Sequence, residues 1–62
     1  MNELEIRTTS KRELTRLLRI KRQVEELGFN VPMLDKTIED VTIEMLDEDI
    51  AVVEKKLGIR IS

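Results

Sequence analysis

The sequence predicts one small, mainly α-helical domain over residues 1–62, and three observations carry that expectation. Apolar residues recur at spacings of three and four through most of the chain, which is the period of a helix face. Both glycines, Gly28 and Gly58, stand just past the end of such a run, where a left-handed residue closes a helix. The core must be built from Leu, Ile, Val and Met, because the chain has one aromatic residue, Phe29, and no cysteine to form a disulfide; that composition packs helix on helix. A domain of this length buries only about 60% of its unfolded surface. A second copy is the natural source of further burial, so a homodimer is expected.

Residues 3–8 alternate polar and apolar (Glu3-Leu4-Glu5-Ile6-Arg7-Thr8) and suggest a short strand or extended arm. Ser10-Lys11-Arg12-Glu13 has the spacing of a capping box, in which the Ser10 hydroxyl accepts the Glu13 amide and the Glu13 side chain reaches back. A helix is therefore expected from Lys11 to Leu27, closed by Gly28, with Phe29 folding back onto its last turn. Leu14, Leu17, Leu18, Ile20, Val24 and Leu27 take about half of its circumference, wide enough to need more than one neighbour. Lys11, Arg12, Arg16, Arg19 and Arg22 take the other half.

Residues 30–46 are open to two readings. Asn30 as a cap with Pro32 in the first turn resembles a helix entrance, and Leu34, Ile38, Val41 and Met45 keep helical spacing. Thr37, Ile38, Val41, Thr42 and Ile43 are β-branched, however, and Val41, Ile43 and Met45 alternate as a strand would. Helix is the favoured alternative. Asp47 then offers a cap, Glu48 and Asp49 suit the positive end of a helix dipole, Lys55 and Lys56 suit the other end, and Gly58 stops the segment. Ile43, Leu46, Ile50, Val53 and Leu57 form a second apolar stripe, on a different side from the first. A bend near Asp47 would let both stripes be covered.

The architecture so predicted is a helical hairpin: Lys11–Leu27, then a bent second helical region over 32–57, with short extended ends in which Ile59-Arg60-Ile61 would pair with Leu4 and Ile6. The alternative is a small α+β domain of β-α-β-α-β order, with residues 40–46 as a strand.

From Glu5 to Ile38 the chain resembles the second half of the DNA-binding domain of MerR-family regulators. The resemblance lies in Glu13-Leu14-Thr15-Arg16-Leu17-Leu18-Arg19-Ile20 and in Glu26-Leu27-Gly28-Phe29-Asn30-Val31-Pro32-Met33-Leu34. It implies a wing leading into a helix, and then another helix after Asn30. The four residues before Glu5 do not contain the family's helix-turn-helix, and Ile6-Arg7-Thr8-Thr9 stands where the wing usually carries an aromatic. Base reading is not part of what the resemblance implies.

Charge is segregated along the chain. Seven basic residues against one acid lie between Arg7 and Val24, and seven acids against one base lie between Asp35 and Asp49, within a net charge of −2. Such polarity suits a binding module. The absence of His, Cys, Tyr and Trp removes the usual general base, thiolate nucleophile and imidazole ligand. Ser10 is occupied as a cap, and both glycines sit at helix ends rather than in a phosphate loop. No enzymatic activity, cofactor, metal or small-molecule substrate is expected, and Asp47-Glu48-Asp49 is best explained as a helix start.

The expected function is that of a small regulatory or adaptor module acting by protein–protein contact and self-association. Lys11, Arg12, Arg16, Arg19 and Arg22 would meet an acidic protein surface, and Ile43, Leu46, Ile50, Val53 and Leu57 would form the self-association seam. The alternative is a DNA-associated regulator, truncated winged-helix-like or antitoxin-like, that lays the helix of residues 11–27 on duplex DNA. No apolar run spans a bilayer and the N-terminus lacks a signal-peptide core, so no membrane partner and a cytoplasmic location are expected.

Overall fold

A computed structural model describes residues 2–61; Met1 and Ser62, the ends of the single domain expected over 1–62, lie outside the described residues. Three helices follow one another: α1 (Glu3–Glu26), α2 (Pro32–Ile43) and α3 (Asp47–Leu57). Among the described residues there is no strand, so the β-α-β-α-β alternative is set aside.

The first helix starts eight residues earlier than the Ser10 capping box suggested. Asn2 is the cap, its side-chain oxygen accepting the Glu5 amide at 2.8 Å, and Glu3 and Glu5 favour the positive end of the dipole. Residues 3–8 are therefore helical, not an extended arm. Their alternation is too short to outweigh a capped start, and helix brings Arg7 one turn from Lys11, facing the acids of α3. Ser10 sits inside the helix. The Thr8 hydroxyl is satisfied within it, donating to the Leu4 carbonyl at 2.9 Å.

The end of α1 follows the sequence closely. Gly28 takes φ 84°, its amide donates to Glu25 O and the Phe29 amide donates to Val24 O, both at 3.0 Å; this is the Schellman arrangement. Only the backbone of Phe29 turns back, for its ring is 65% exposed. Gly28→Ala puts a Cβ in open space but at a left-handed φ, and about 1 kcal/mol of stability should be lost. A urea midpoint measures it.

The segment after Asn30 is helical, which resolves the ambiguity over 33–46. Proline at 32 holds the residue before it extended, so Val31 (φ −115°, ψ 96°) is the cap rather than Asn30, with no side-chain bond. The β-branched hydroxyls that argued for a strand are absorbed locally: Thr37 donates to Met33 O at 2.8 Å and Thr42 to Glu39 O at 2.9 Å. The expected bend falls at Glu44–Leu46. Leu46 (ψ 145°) is the cap of α3, and Asp47, expected there, is the first helical residue instead. Gly58 ends α3 at φ 67°, and the Ile59 amide donates to Glu54 O at 3.1 Å. Residues 59–61 do not pair with Leu4 and Ile6. The Ile61 amide donates to Glu54 Oε2 at 2.6 Å, and the Ile61 side chain packs on the core.

Asp35 near the start of α2 meets Lys21 of α1, whereas Asp49 near the start of α3 meets Arg7. Hence α2 runs back along α1 and α3 runs forward again. With 24 residues, α1 is about 36 Å long and sets the 39 Å longest dimension of the domain. Leu14 and Leu18 of α1, Ile38 of α2 and Val53 of α3 are the buried core, with Leu14 at 0% and Val53 at 1% exposure. Leu17, Leu34, Val41, Met45, Leu57 and Ile61 pack around them. Both apolar stripes expected of residues 33–57 thus contribute to one core, because the bend turns each toward α1.

Candidate interaction groove between α1 and α3

Three basic residues of α1 are engaged by acids of α2 and α3. Arg7 is the most engaged: its Nε and Nη2 donate to the two carboxylate oxygens of Asp49, each at 2.9 Å, and Nη2 also reaches Glu48 Oε1 at 2.7 Å. Lys11 Nζ stands 3.9 Å from Asp49 Oδ1. Asp49 is only 4% exposed. The hydrogen bonds from Arg7, with the positive charge of Arg7 and Lys11, hold its carboxyl below the usual range despite a smaller opposing effect of burial. The same contact raises the Arg7 guanidinium above its ordinary value. Lys21 is also raised, chiefly by its 2.9 Å bond to Asp35. Two of the three acids at the start of α3 are thereby turned onto Arg7, and among the described residues no group of carboxylates is arranged to hold a metal ion.

Arg12, Arg16 and Arg19 have no such partner. All three are exposed, and among the described residues no carboxylate lies within ion-pair distance of them. They line a groove of roughly 520 Å³ between α1 and α3, together with Lys11 and Lys56. Ile20, Val52 and Val53 supply apolar surface and Thr8, Thr15 and Gln23 supply neutral polar groups; no acid lines it. Val52 is 54% exposed, so the groove has an open apolar strip beside its cations. The Thr15 hydroxyl is committed to the Lys11 carbonyl at 2.8 Å.

Four of the five basic residues singled out from sequence, Lys11, Arg12, Arg16 and Arg19, are brought together here. Arg22 is not: it lies 3.7 Å from Glu26 and lines a second groove, where it and Arg19 share the lining with Glu25, Asp35 and Glu39. Lys56 is the residue that sequence reasoning missed. Its position in the last turn of α3 explained it as a dipole partner, and only the parallel course of α3 along α1 carries it to the arginines.

The stripe considered for self-association is divided. Val53 lies in the chain's own core and Leu57 packs on it, while Ile50 is half-buried. Ile43 (73%) and Leu46 (48%) remain exposed at the junction of α2 and α3. Among the described residues no helix is long and apolar enough to cross a membrane. No protein-family model, curated protein or solved structure matches this chain.

Proposed function

We propose that this chain is a small non-enzymatic adaptor that works by protein–protein contact, receiving an acidic amphipathic segment of its partner in the groove between α1 and α3. One observation carries the reading: Arg12, Arg16, Arg19 and Lys56 are left without acids in a chain that has an excess of acids, and they line a groove with exposed apolar surface. A helix with carboxylates on its flanks and aliphatic residues between them satisfies both features at once.

The test is titration of a synthetic helical peptide bearing Leu at helical spacing flanked by Glu, followed by fluorescence anisotropy. The Arg12→Ala/Arg16→Ala/Arg19→Ala variant should bind at least tenfold more weakly, with a flatter dependence on salt. Equal binding by the two proteins would remove the groove from the account.

The rival is a DNA-associated regulator using the same helix. The specific observation in its favour is that no carboxylate lines the groove, so phosphates would meet only cations and neutral groups. Against it stand the net charge of −2 and the lack of any aromatic residue in the groove on which a base could stack. A duplex oligonucleotide in the same titration separates the two: steep, salt-dependent binding to DNA without binding to the peptide favours the rival.

A further inference from the structure

We infer that the groove between α1 and α3 takes the outer face of α2 from a second copy of this chain. The inference rests on the reading of that groove as a site for an acidic amphipathic helix and supplies its occupant. Charges of both signs are left without an ion-pair partner among the described residues. The bases include Arg12, Arg16, Arg19 and Lys56, which share the groove, and the acids include Glu39, Asp40 and Glu44, which share α2 and its C-cap.

Asp40 and Glu44 lie away from Arg12 and Arg16 of their own copy. At about 100° per residue, Lys21, which meets α2, lies roughly 140–180° around α1 from Arg12 and Arg16. Arg19 stands at the boundary, for it also lines the groove beside α2 together with Glu39. Arg12 and Arg16 are thus on the far side of α1 from their own α2, and an α2 that meets them comes from another molecule.

The outer face of α2 has the other feature the groove asks for. Met33, Asp40 and Ile43 share it, at a spacing of seven and three residues. Met33 (77%) and Ile43 (73%) are, with Leu27 (73%), the most exposed large apolar side chains of the described residues. Lys36 is its one base. Length matches as well. The 12 residues of α2 are about 18 Å long, and the groove follows α1 from Thr8 to Gln23, a rise of about 22 Å. Met33 and Ile43 would lie against Ile20 and Val52, with Asp40 and Glu44 toward the arginines. A reciprocal contact gives a dimer and a one-way contact gives a chain of copies; in both, mass rises with concentration.

Sedimentation equilibrium of the full chain from micromolar to millimolar concentration tests this, using two charge-reversed variants, Arg12→Glu/Arg16→Glu and Asp40→Lys/Glu44→Lys. Circular dichroism confirms that each remains helical. The wild type should associate, each variant alone should associate at least tenfold more weakly, and an equimolar mixture of the variants should recover association, because each groove then meets an α2 of opposite charge. A monomeric wild type overturns the inference. So does association that neither variant weakens, which would place the contact elsewhere, for instance at Leu27 and Phe29. If the wild type is monomeric yet binds the acidic peptide, the groove reading stands and only the second copy is excluded as occupant. Binding of duplex DNA alone excludes both.

Discussion

Replacing Leu14 by alanine is expected to leave the chain largely unfolded at room temperature. Leu14 is 0% exposed and lies where all three helices converge, packed with Leu18, Ile38 and Val53. Removing a fully buried leucine side chain costs about 3 kcal/mol through lost transfer energy and the cavity left behind. A core in a domain this small rarely supplies more than about 3–5 kcal/mol in total. Leu14→Met, which nearly conserves volume, should cost less than about 1.5 kcal/mol and stay folded. Urea unfolding followed by ellipticity at 222 nm distinguishes them; a Leu14→Ala midpoint close to that of wild type would mean the three helices do not converge on this side chain.

Arg7→Ala should be the next most damaging single change. It leaves Asp49, 4% exposed, with only the distant Lys11 amine for its charge, and a carboxylate stripped of its partner in such a place is strongly unfavourable. It also releases the start of α1, where Leu4 and Ile6 are exposed and provide little anchorage. Thermal melts should show a clear fall in midpoint, and amides of the first two turns should exchange faster. Glu48→Gln, which touches the same guanidinium from an exposed position, should change little.

The pair also sets an acid limit. Asp49 is held below its ordinary value of 3.8 in the folded chain, so the unfolded chain takes up the proton first as pH falls. The contribution is complete above about pH 5 and fades as pH drops through the unfolded value toward the lowered one. Asp49→Asn should flatten that decline in melts taken between pH 5 and 3. An unchanged acid profile in Asp49→Asn would show that other carboxylates set it.

What could be read from the sequence, and what could not, follows the range of the physics involved. Gly28 and Gly58 announced the ends of α1 and α3 correctly, because a left-handed residue after an apolar run is a local requirement. The bend between α2 and α3 was equally legible: two stripes on one helix cannot both face a single neighbour. The start of α1 was misread because two caps compete, and Ser10 with Glu13 resembles the stronger motif. Asn2 prevails in a fold where Arg7 has Asp49 to meet, a contact 42 residues away in sequence that no local pattern reveals. The same limit applies to the groove. Arg12, Arg16 and Arg19 were identifiable from their shared helix face, whereas Lys56 joins them only through the relative direction of two helices. The seam assigned to Ile43, Leu46, Ile50, Val53 and Leu57 has regular spacing, but spacing alone does not say which of these residues the chain keeps for itself.

Both short helices lean on α1 and scarcely on each other. Detaching α3 costs the burial of Val53 and the Arg7–Asp49 clasp and opens one side of the shared core, yet it leaves the Lys21–Asp35 bond in place. The domain therefore resembles two shutters hung on one post, each free to swing on its own. Only one of them forms a wall of the basic groove, so any occupant of that groove acts as a bolt across a single shutter, slowing its opening without needing to reshape the post.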